Sequence, residues 1–120
     1  MDVLIVESNP DLGMLWQRHL QRQGSHVVVS GDQTSAIQCL QDSDFDVIVL
    51  DLMIEGGSPL AVADYASYRR PHAKIVFVTN ASFFSDGSIF QLCSNACAFV
   101  PAATEPEDLA AIVDYHGRAS

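Results

Sequence analysis

Short runs of branched apolar residues recur along the chain, separated by longer segments in which apolar residues return every three or four positions. The runs are rich in Val and Ile and predict five β-strands, at residues 3–6, 26–30, 47–50, 75–78 and 98–100. Several of these runs are continuously apolar rather than alternating. This pattern is typical of strands buried on both faces in a parallel sheet that helices cover.

The intervening segments predict five α-helices. In the first helix one apolar stripe comprises Leu12, Leu15, Trp16 and Leu20. Asn9 is suited to cap the start of this helix, Pro10 to occupy its first position and Gly24 to end it. The other helices are predicted at residues 35–41, 59–68, 86–94 and 105–116, with Asn95 as a cap of the fourth.

Strands and helices alternate strictly along the chain, without a linker, a repeat or a low-complexity segment. This alternation predicts right-handed crossovers and one α/β domain over residues 1–120, built as a doubly wound parallel sheet in a three-layer sandwich. A hydrophobic content of 48% is enough to close one core in a chain of 120 residues. We expect no separate output domain within this sequence.

The charge balance narrows the classes of partner. With 15 acidic and 6 basic residues the formal charge is -9, which disfavours nucleic acid and anionic membrane surfaces and leaves proteins or cations. No apolar run approaches the length of a membrane span, and the odd set of three cysteines fits a reducing cytoplasm. Cys93 and Cys97 are spaced to share a helix face, but we interpret them as small buried residues, because further metal ligands are missing nearby.

Polar residues follow three of the predicted strands at the point where each strand ends. They are Glu7, Asp51 and Thr79. Each one taken singly is compatible with an ordinary strand end or loop cap, but the carboxyl ends of parallel strands meet at one edge, so we expect the three to converge. Two carboxylates at such an edge suit Mg²⁺, and a carboxylate held beside that cation can attack phosphorus.

Four segments, taken in order, resemble the bacterial response-regulator receiver family. They are residues 3–11 (VLIVESNPD), 47–53 (VIVLDLM), 75–79 (IVFVT) and 96–100 (ACAFV), and the resemblance extends over essentially the whole chain. The resemblance implies a flavodoxin-like fold with strand order 2-1-3-4-5 and five helices. It also implies two-component signalling, in which a histidine kinase or a phosphotransfer protein supplies a phosphoryl group.

The resemblance also implies roles for individual residues. Asp51 aligns with the phosphoacceptor, and Glu7 with the first of two acids that hold Mg²⁺. Met53 aligns with the residue that offers a backbone carbonyl to the cation. Thr79 aligns with the switch hydroxyl and Phe99 with the switch aromatic.

The chain departs from the family pattern at charged positions of the site. Ser8 stands in place of the second acid, so we expect weakened Mg²⁺ binding. Ala102 stands in place of the lysine that pairs with the phosphoryl group. The only lysine, Lys74, is predicted at the opposite end of the fourth strand, and the arginines fall in helices, helix ends or the tail. The acceptor is therefore retained, whereas its supporting charges are not.

Two loops near the site also differ from the family. Ala103 replaces the proline that usually follows the lysine, while Pro101 precedes that position, so the cis peptide typical of the family loop is not expected. Glu55 replaces a common proline and Pro59 a common glycine. These changes predict a reshaped loop after Asp51.

We interpret the chain as a signalling module rather than an enzyme. One alternative is a docking domain that works without phosphorylation, a pseudo-receiver. Another is a haloacid-dehalogenase-like phosphohydrolase with Asp51 as nucleophile, but such enzymes place a second acid two residues later, where this chain has Met53. A downstream protein partner is expected to bind near Phe84, Phe90 and Phe99, and a homodimer is left open.

Overall fold

The computed structural model describes residues 1–79 and 93–118. Five strands lie in this part of the chain: β1 (Asp2–Val6), β2 (His26–Ser30), β3 (Val47–Asp51), β4 (Lys74–Thr79) and β5 (Ala96–Pro101). The same part contains four helices: α1 (Pro10–Arg22), α2 (Gln33–Asp42), α3 (Pro59–Arg69) and α4 (Pro106–Arg118). The helix predicted at residues 86–94 falls almost entirely outside the described residues.

The strands form one parallel sheet in the order β2-β1-β3-β4-β5. The predicted α/β sandwich with flavodoxin-like strand order is therefore confirmed. In the register of the central strands Val6 pairs with Leu50, and Asp51 pairs with Val78. This register brings the ends of β1, β3 and β4 to one edge of the sheet.

The sheet separates two layers of apolar packing. Because successive side chains of a strand point to opposite faces, Leu4 and Val6 of β1 belong to one cluster and Val3 and Ile5 to the other. The first cluster includes residues of α2 and α3, and the second includes residues of α1 and α4. Every residue of β3 is buried: the apolar run at residues 47–50, as its sequence predicts, and the terminal Asp51 as well.

The local signals at α1 act as the sequence predicts. Asn9 Oδ1 accepts hydrogen bonds from the backbone N–H groups of Asp11 at 3.0 Å and Leu12 at 3.3 Å, and Pro10 is the first helical residue. After the helix, Gly24 has a φ of 90°, a conformation that glycine adopts without steric cost. The cap fixes the chain immediately after Glu7, so it also positions the site.

The cysteine interpretation needs one correction. Cys97 lies in β5 and Cys93 precedes that strand, so the shared helix face that their spacing would allow does not form. Their spacing fits a helix, but Cys97 lies at an irregularity where β5 pairs with β4, and its Sγ–H donates to Ile75 O at 3.5 Å. Cys93 is buried, as expected, while Cys97 is half-buried. In the described part of the chain, no helix has the length and apolar content needed to cross a membrane.

Candidate functional site

Three polar side chains predicted to converge lie at the carboxyl edge of the sheet. Asp51 is the last residue of β3, Thr79 is the last residue of β4, and Glu7 directly follows β1. All three are buried, with exposed fractions of 6%, 4% and 5% respectively. Burial of polar groups at the end of a strand is costly unless other groups compensate for the lost water, so their partners determine what the site can do.

Glu7 and Asp51 form a pair of buried carboxyl groups. Glu7 Oε1 accepts a hydrogen bond from the backbone N–H of Asn9 at 3.0 Å. Within the described residues no fixed donor reaches the buried Glu7 Oε2. Burial, reinforced by the hydrogen bond and the charge of Asp51, raises the pKa of Glu7 to about 8. At neutral pH and without a cation Glu7 therefore favours its protonated form.

Asp51 also orders the backbone that follows it. Its Oδ1 accepts a hydrogen bond from the backbone N–H of Met53 at 2.8 Å, and the Leu52 N–H donates to Val78 O, also at 2.8 Å. These bonds keep the backbone of Met53 beside the carboxylate. The Met53 side chain itself is about half exposed, at 54%. Its contribution to the site is therefore expected from its main chain.

Ser8, which stands where the family has a second acid, contacts two neighbouring loops. Its hydroxyl donates to Gly31 O at 2.7 Å and accepts from the backbone N–H of Glu55 at 2.7 Å. Sequence reasoning identified the lost charge but missed these contacts, because they join residues 23 and 47 positions apart. No local pattern in the sequence specifies such bonds.

The end of β5 presents an apolar side chain beside Thr79. The backbone N–H of Ala102 donates to Thr79 O at 2.9 Å, and the Ala102 methyl group packs against the core cluster that includes α1 and α4. Beyond it, Thr104 Oγ1 donates to Pro101 O at 2.6 Å and closes a turn. All described peptide bonds are trans, including those of this turn. Phe99 is half-buried, with its ring centroid 6.4 Å from that of Phe77.

Basic side chains are placed away from this edge. Lys74 begins β4 whereas Thr79 ends it, a separation of about 16 Å along the strand. Arg69 and Arg70, at the end of α3, donate to carbonyl oxygens at the end of α2, and Arg118 pairs with Asp114. Arg18 and Arg22 lie in the second half of α1, and residues 80–92 contain neither Lys nor Arg.

The oxygen ligands at this edge suit one hard cation. Glu7 Oε2 is a buried oxygen without a fixed partner, and it lies beside a second carboxylate, an arrangement that Mg²⁺ can satisfy. The described residues contain no cluster of three or more His, Cys, Asp or Glu side chains able to hold a metal. A cation held by the described residues alone would complete its coordination with backbone carbonyls and water.

The fold and this edge are those of a receiver-type signalling domain, and sequence comparison agrees. The profile of the response regulator receiver domain matches residues 3–114. The chain belongs to the response regulator receiver domain family, whose members serve two-component signal transduction.

Two relatives are transcriptional regulators. The transcriptional activator protein PfeR of Pseudomonas aeruginosa is 33% identical over 79 residues, which cover 66% of this chain and 25% of that protein. The uncharacterized transcriptional regulatory protein YrkP of Bacillus subtilis is 31% identical over 80 residues, covering 67% and 34%. The matched region thus spans about a quarter to a third of the length of these relatives.

Solved receiver structures share the fold. A response regulator from Burkholderia pseudomallei, determined with a phosphorylated aspartic acid, calcium ion and citrate, superposes with a TM-score of 0.84 at 19% identity, covering 98% of this chain and 69% of that one. TrrA from Thermotoga maritima, in complex with Mg²⁺ and BeF, gives a TM-score of 0.82 at 22% identity, covering 96% and 97%. At these identities the likeness concerns the fold.

The buried carboxyl pair predicts an unusual dependence of stability on pH. Because the pKa of Glu7 is raised to about 8 in the folded state, the folded chain holds a proton that the unfolded chain releases near pH 4.5. The stability of the native protein therefore decreases as pH rises from about 5 to 9, and a single unit of pKa shift corresponds to about 1.4 kcal/mol. Glu7→Gln should remove this decrease, as measured by urea unfolding in EDTA at pH 5, 7 and 9.

The exposed Glu105→Gln provides the matched control and should follow the native protein at each pH. Unfolding free energies of Glu7→Gln that run parallel to those of the native protein from pH 5 to 9 would contradict the shifted pKa.

Proposed function

We propose that residues 1–120 form one receiver module in which Asp51 accepts a phosphoryl group from a histidine kinase or a phosphotransfer protein. The module signals by binding a downstream protein and is not itself an enzyme. The observation that carries this proposal is the buried pair of Glu7 and Asp51 at the carboxyl edge of the sheet. A buried carboxylate beside a second one has little structural value, since it is costly to desolvate, and is best explained by chemistry at this position.

In the proposed reaction a carboxylate oxygen of Asp51 attacks phosphorus. A new O–P bond forms while the bond from phosphorus to the donor breaks, and the leaving imidazole of a phosphohistidine takes the bonding electrons. The N–H of Met53 orients the attacking carboxylate by donating to Oδ1.

Glu7, Asp51 and the backbone carbonyl of Met53 would hold Mg²⁺ in this site. When bound, the cation would neutralise charge between the carboxylate and the incoming phosphoryl group. Glu7 Oε2 is suited to bind the cation because no fixed donor among the described residues forms a hydrogen bond with it. With Ser8 in place of a second acid, the site has one negative charge fewer, and we infer weak binding.

The edge offers limited support for a phosphoryl group once it is attached. The hydroxyl of Thr79 lies on the neighbouring strand end and is the proposed hydrogen-bond donor to a phosphoryl oxygen. Position 102 contributes a methyl group packed on the core instead of a cation. We therefore infer a smaller conformational response than a charge pair would produce.

The proposed readout is a protein interface around β5 and α4. Phe99 lies there and is half-buried against Phe77, so a change in its packing would alter the surface of β5. Phe84 and Phe90, which the sequence places near the same face, lie outside the described residues. The net charge of -9 supports a protein partner over nucleic acid.

A second candidate is docking that does not depend on phosphorylation. The observation that favours it is the absence of a basic side chain at the site edge: Ala102 is apolar there, and Lys74 lies at the other end of β4. In this alternative the Glu7–Asp51 pair persists as an inherited feature, and the same surface binds its partner constitutively. Chemistry at Asp51 distinguishes the two candidates.

Incubation with acetyl phosphate and Mg²⁺ should place an acid-labile phosphoryl group on Asp51, because this small donor can reach the site without a kinase. Intact mass spectrometry and Phos-tag electrophoresis should detect the adduct in the native protein and not in Asp51→Asn. Asp32→Asn is the matched control, since Asp32 is an exposed helix cap and should leave the adduct unchanged. A native protein that never forms the adduct would favour docking alone.

Magnesium affinity should respond to the residue at position 8. Ser8→Asp restores a carboxylate at the edge, and a gain of about tenfold in affinity is expected because hard cations depend strongly on ligand charge. Isothermal titration calorimetry of both proteins at pH 8 measures the change, with Ser8→Asn as an uncharged control of matched size. Low-micromolar binding by the native protein would refute the inferred weakness of the site.

A further inference from the structure

One hydroxyl group joins the three loops that surround the candidate site. Ser8 belongs to the loop after β1, Gly31 to the loop after β2 and Glu55 to the loop after β3. Ser8 Oγ donates to Gly31 O and accepts from Glu55 N, each at 2.7 Å. We call this pair of bonds the hydroxyl latch. Both bonds have the short distances of well-formed hydrogen bonds to a hydroxyl group.

The loop after β3 is held a second time beyond the latch. The backbone N–H of Gln33 donates to Gly56 O at 3.3 Å, and Gln33 Oε1 accepts from Ser58 N at 2.8 Å. Gly57 lies so close to this side chain that a Cβ atom there would approach Gln33 Cβ to 2.4 Å. Residues 55–58 therefore lie directly against the start of α2.

The latch needs the particular chemistry of a hydroxyl group. Ser8 Oγ donates one bond and accepts another at the same atom, which an ionised carboxylate cannot do because it only accepts. An acid at position 8 would place its charge next to Gly31 O and lose the bond to it. The residue that removes a charge from the site thus adds a connection between its loops.

We propose that Ser8 is a positioning residue that holds the loop carrying Met53 in place before any cation binds. This inference rests on the proposed function for its purpose, since Met53 supplies the carbonyl to the cation. Asp51 fixes the start of the loop through Met53 N, and the latch fixes it two residues later at Glu55. When both sides of the loop are already ordered, cation binding loses less conformational entropy. This saving offsets part of the binding free energy that is lost with the missing charge.

Amide hydrogen exchange measured by NMR tests the latch in the free protein. Ser8→Ala should speed exchange of the Glu55 and Met53 amides by about tenfold, as expected when a local hydrogen bond that limits opening is lost. Ser8→Thr retains the hydroxyl group and should stay close to the native rates. Ser43→Ala, at an exposed serine that makes only a backbone hydrogen bond, controls for the loss of a serine elsewhere.

Magnesium titration of the same proteins provides the second readout. Ser8→Ala should raise the dissociation constant about threefold, the effect of one lost hydrogen bond, while Ser8→Thr and Ser43→Ala leave it unchanged. Unchanged exchange at Glu55 in Ser8→Ala overturns the latch, and faster exchange at Glu55 without any change at Met53 overturns the positioning role. If the native protein binds no Mg²⁺, the proposed function fails, whereas the exchange rates still decide whether Ser8 holds the loop.

Discussion

The burial of two carboxyl groups side by side is the constraint on which the rest of the site depends. Asp51 ends β3 and Glu7 directly follows the adjacent β1, and four apolar residues precede each of them, so the parallel sheet itself brings the groups together. Away from water, two like charges cannot both persist without compensation. Either a proton or a cation can provide that compensation, and burial, which raises the pKa of Glu7, favours the proton when no cation is bound.

This constraint connects the fold to the proposed chemistry. A proton on Glu7 removes the repulsion between the two carboxyl groups when no cation is bound, whereas a cation relieves the same repulsion once Glu7 is ionised. Backbone hydrogen bonds keep both carboxyl groups in place: Asn9 N–H donates to one oxygen of Glu7, and Met53 N–H donates to one oxygen of Asp51. With the apolar Ala102 directly after β5, the described part of this edge offers no Lys or Arg side chain to counter the charge of the proposed phosphoryl group.

The fold was predictable because its signals are local and repeated. Continuous apolar runs specify buried parallel strands, and Asn9, Pro10 and Gly24 define the ends of α1 within a residue or two. The convergence of Glu7, Asp51 and Thr79 followed from the topology, since parallel strands end at the same edge. Their roles in binding and transfer are implied by family resemblance and stay predictions.

The connections between loops were not predictable from the sequence. The contacts of Ser8 with Gly31 and Glu55 depend on how three loops pack, and a serine in a loop is commonplace. The spacing of Cys93 and Cys97 was misleading for the opposite reason, because a local helical period was overridden by strand pairing of β5 with β4. Contacts between loops and the position of Cys97 depend on tertiary packing, which the local pattern of a single sequence does not specify.

The exchange of a proton for a cation at Glu7 and Asp51 can be measured directly. Calorimetric titration of Mg²⁺ at pH 7 in buffers of different ionisation enthalpy counts the protons released on binding. The account predicts release of about one proton per cation at pH 7, falling towards none above pH 9, as the raised pKa of Glu7 requires. Binding that releases no proton at pH 7 would contradict the account.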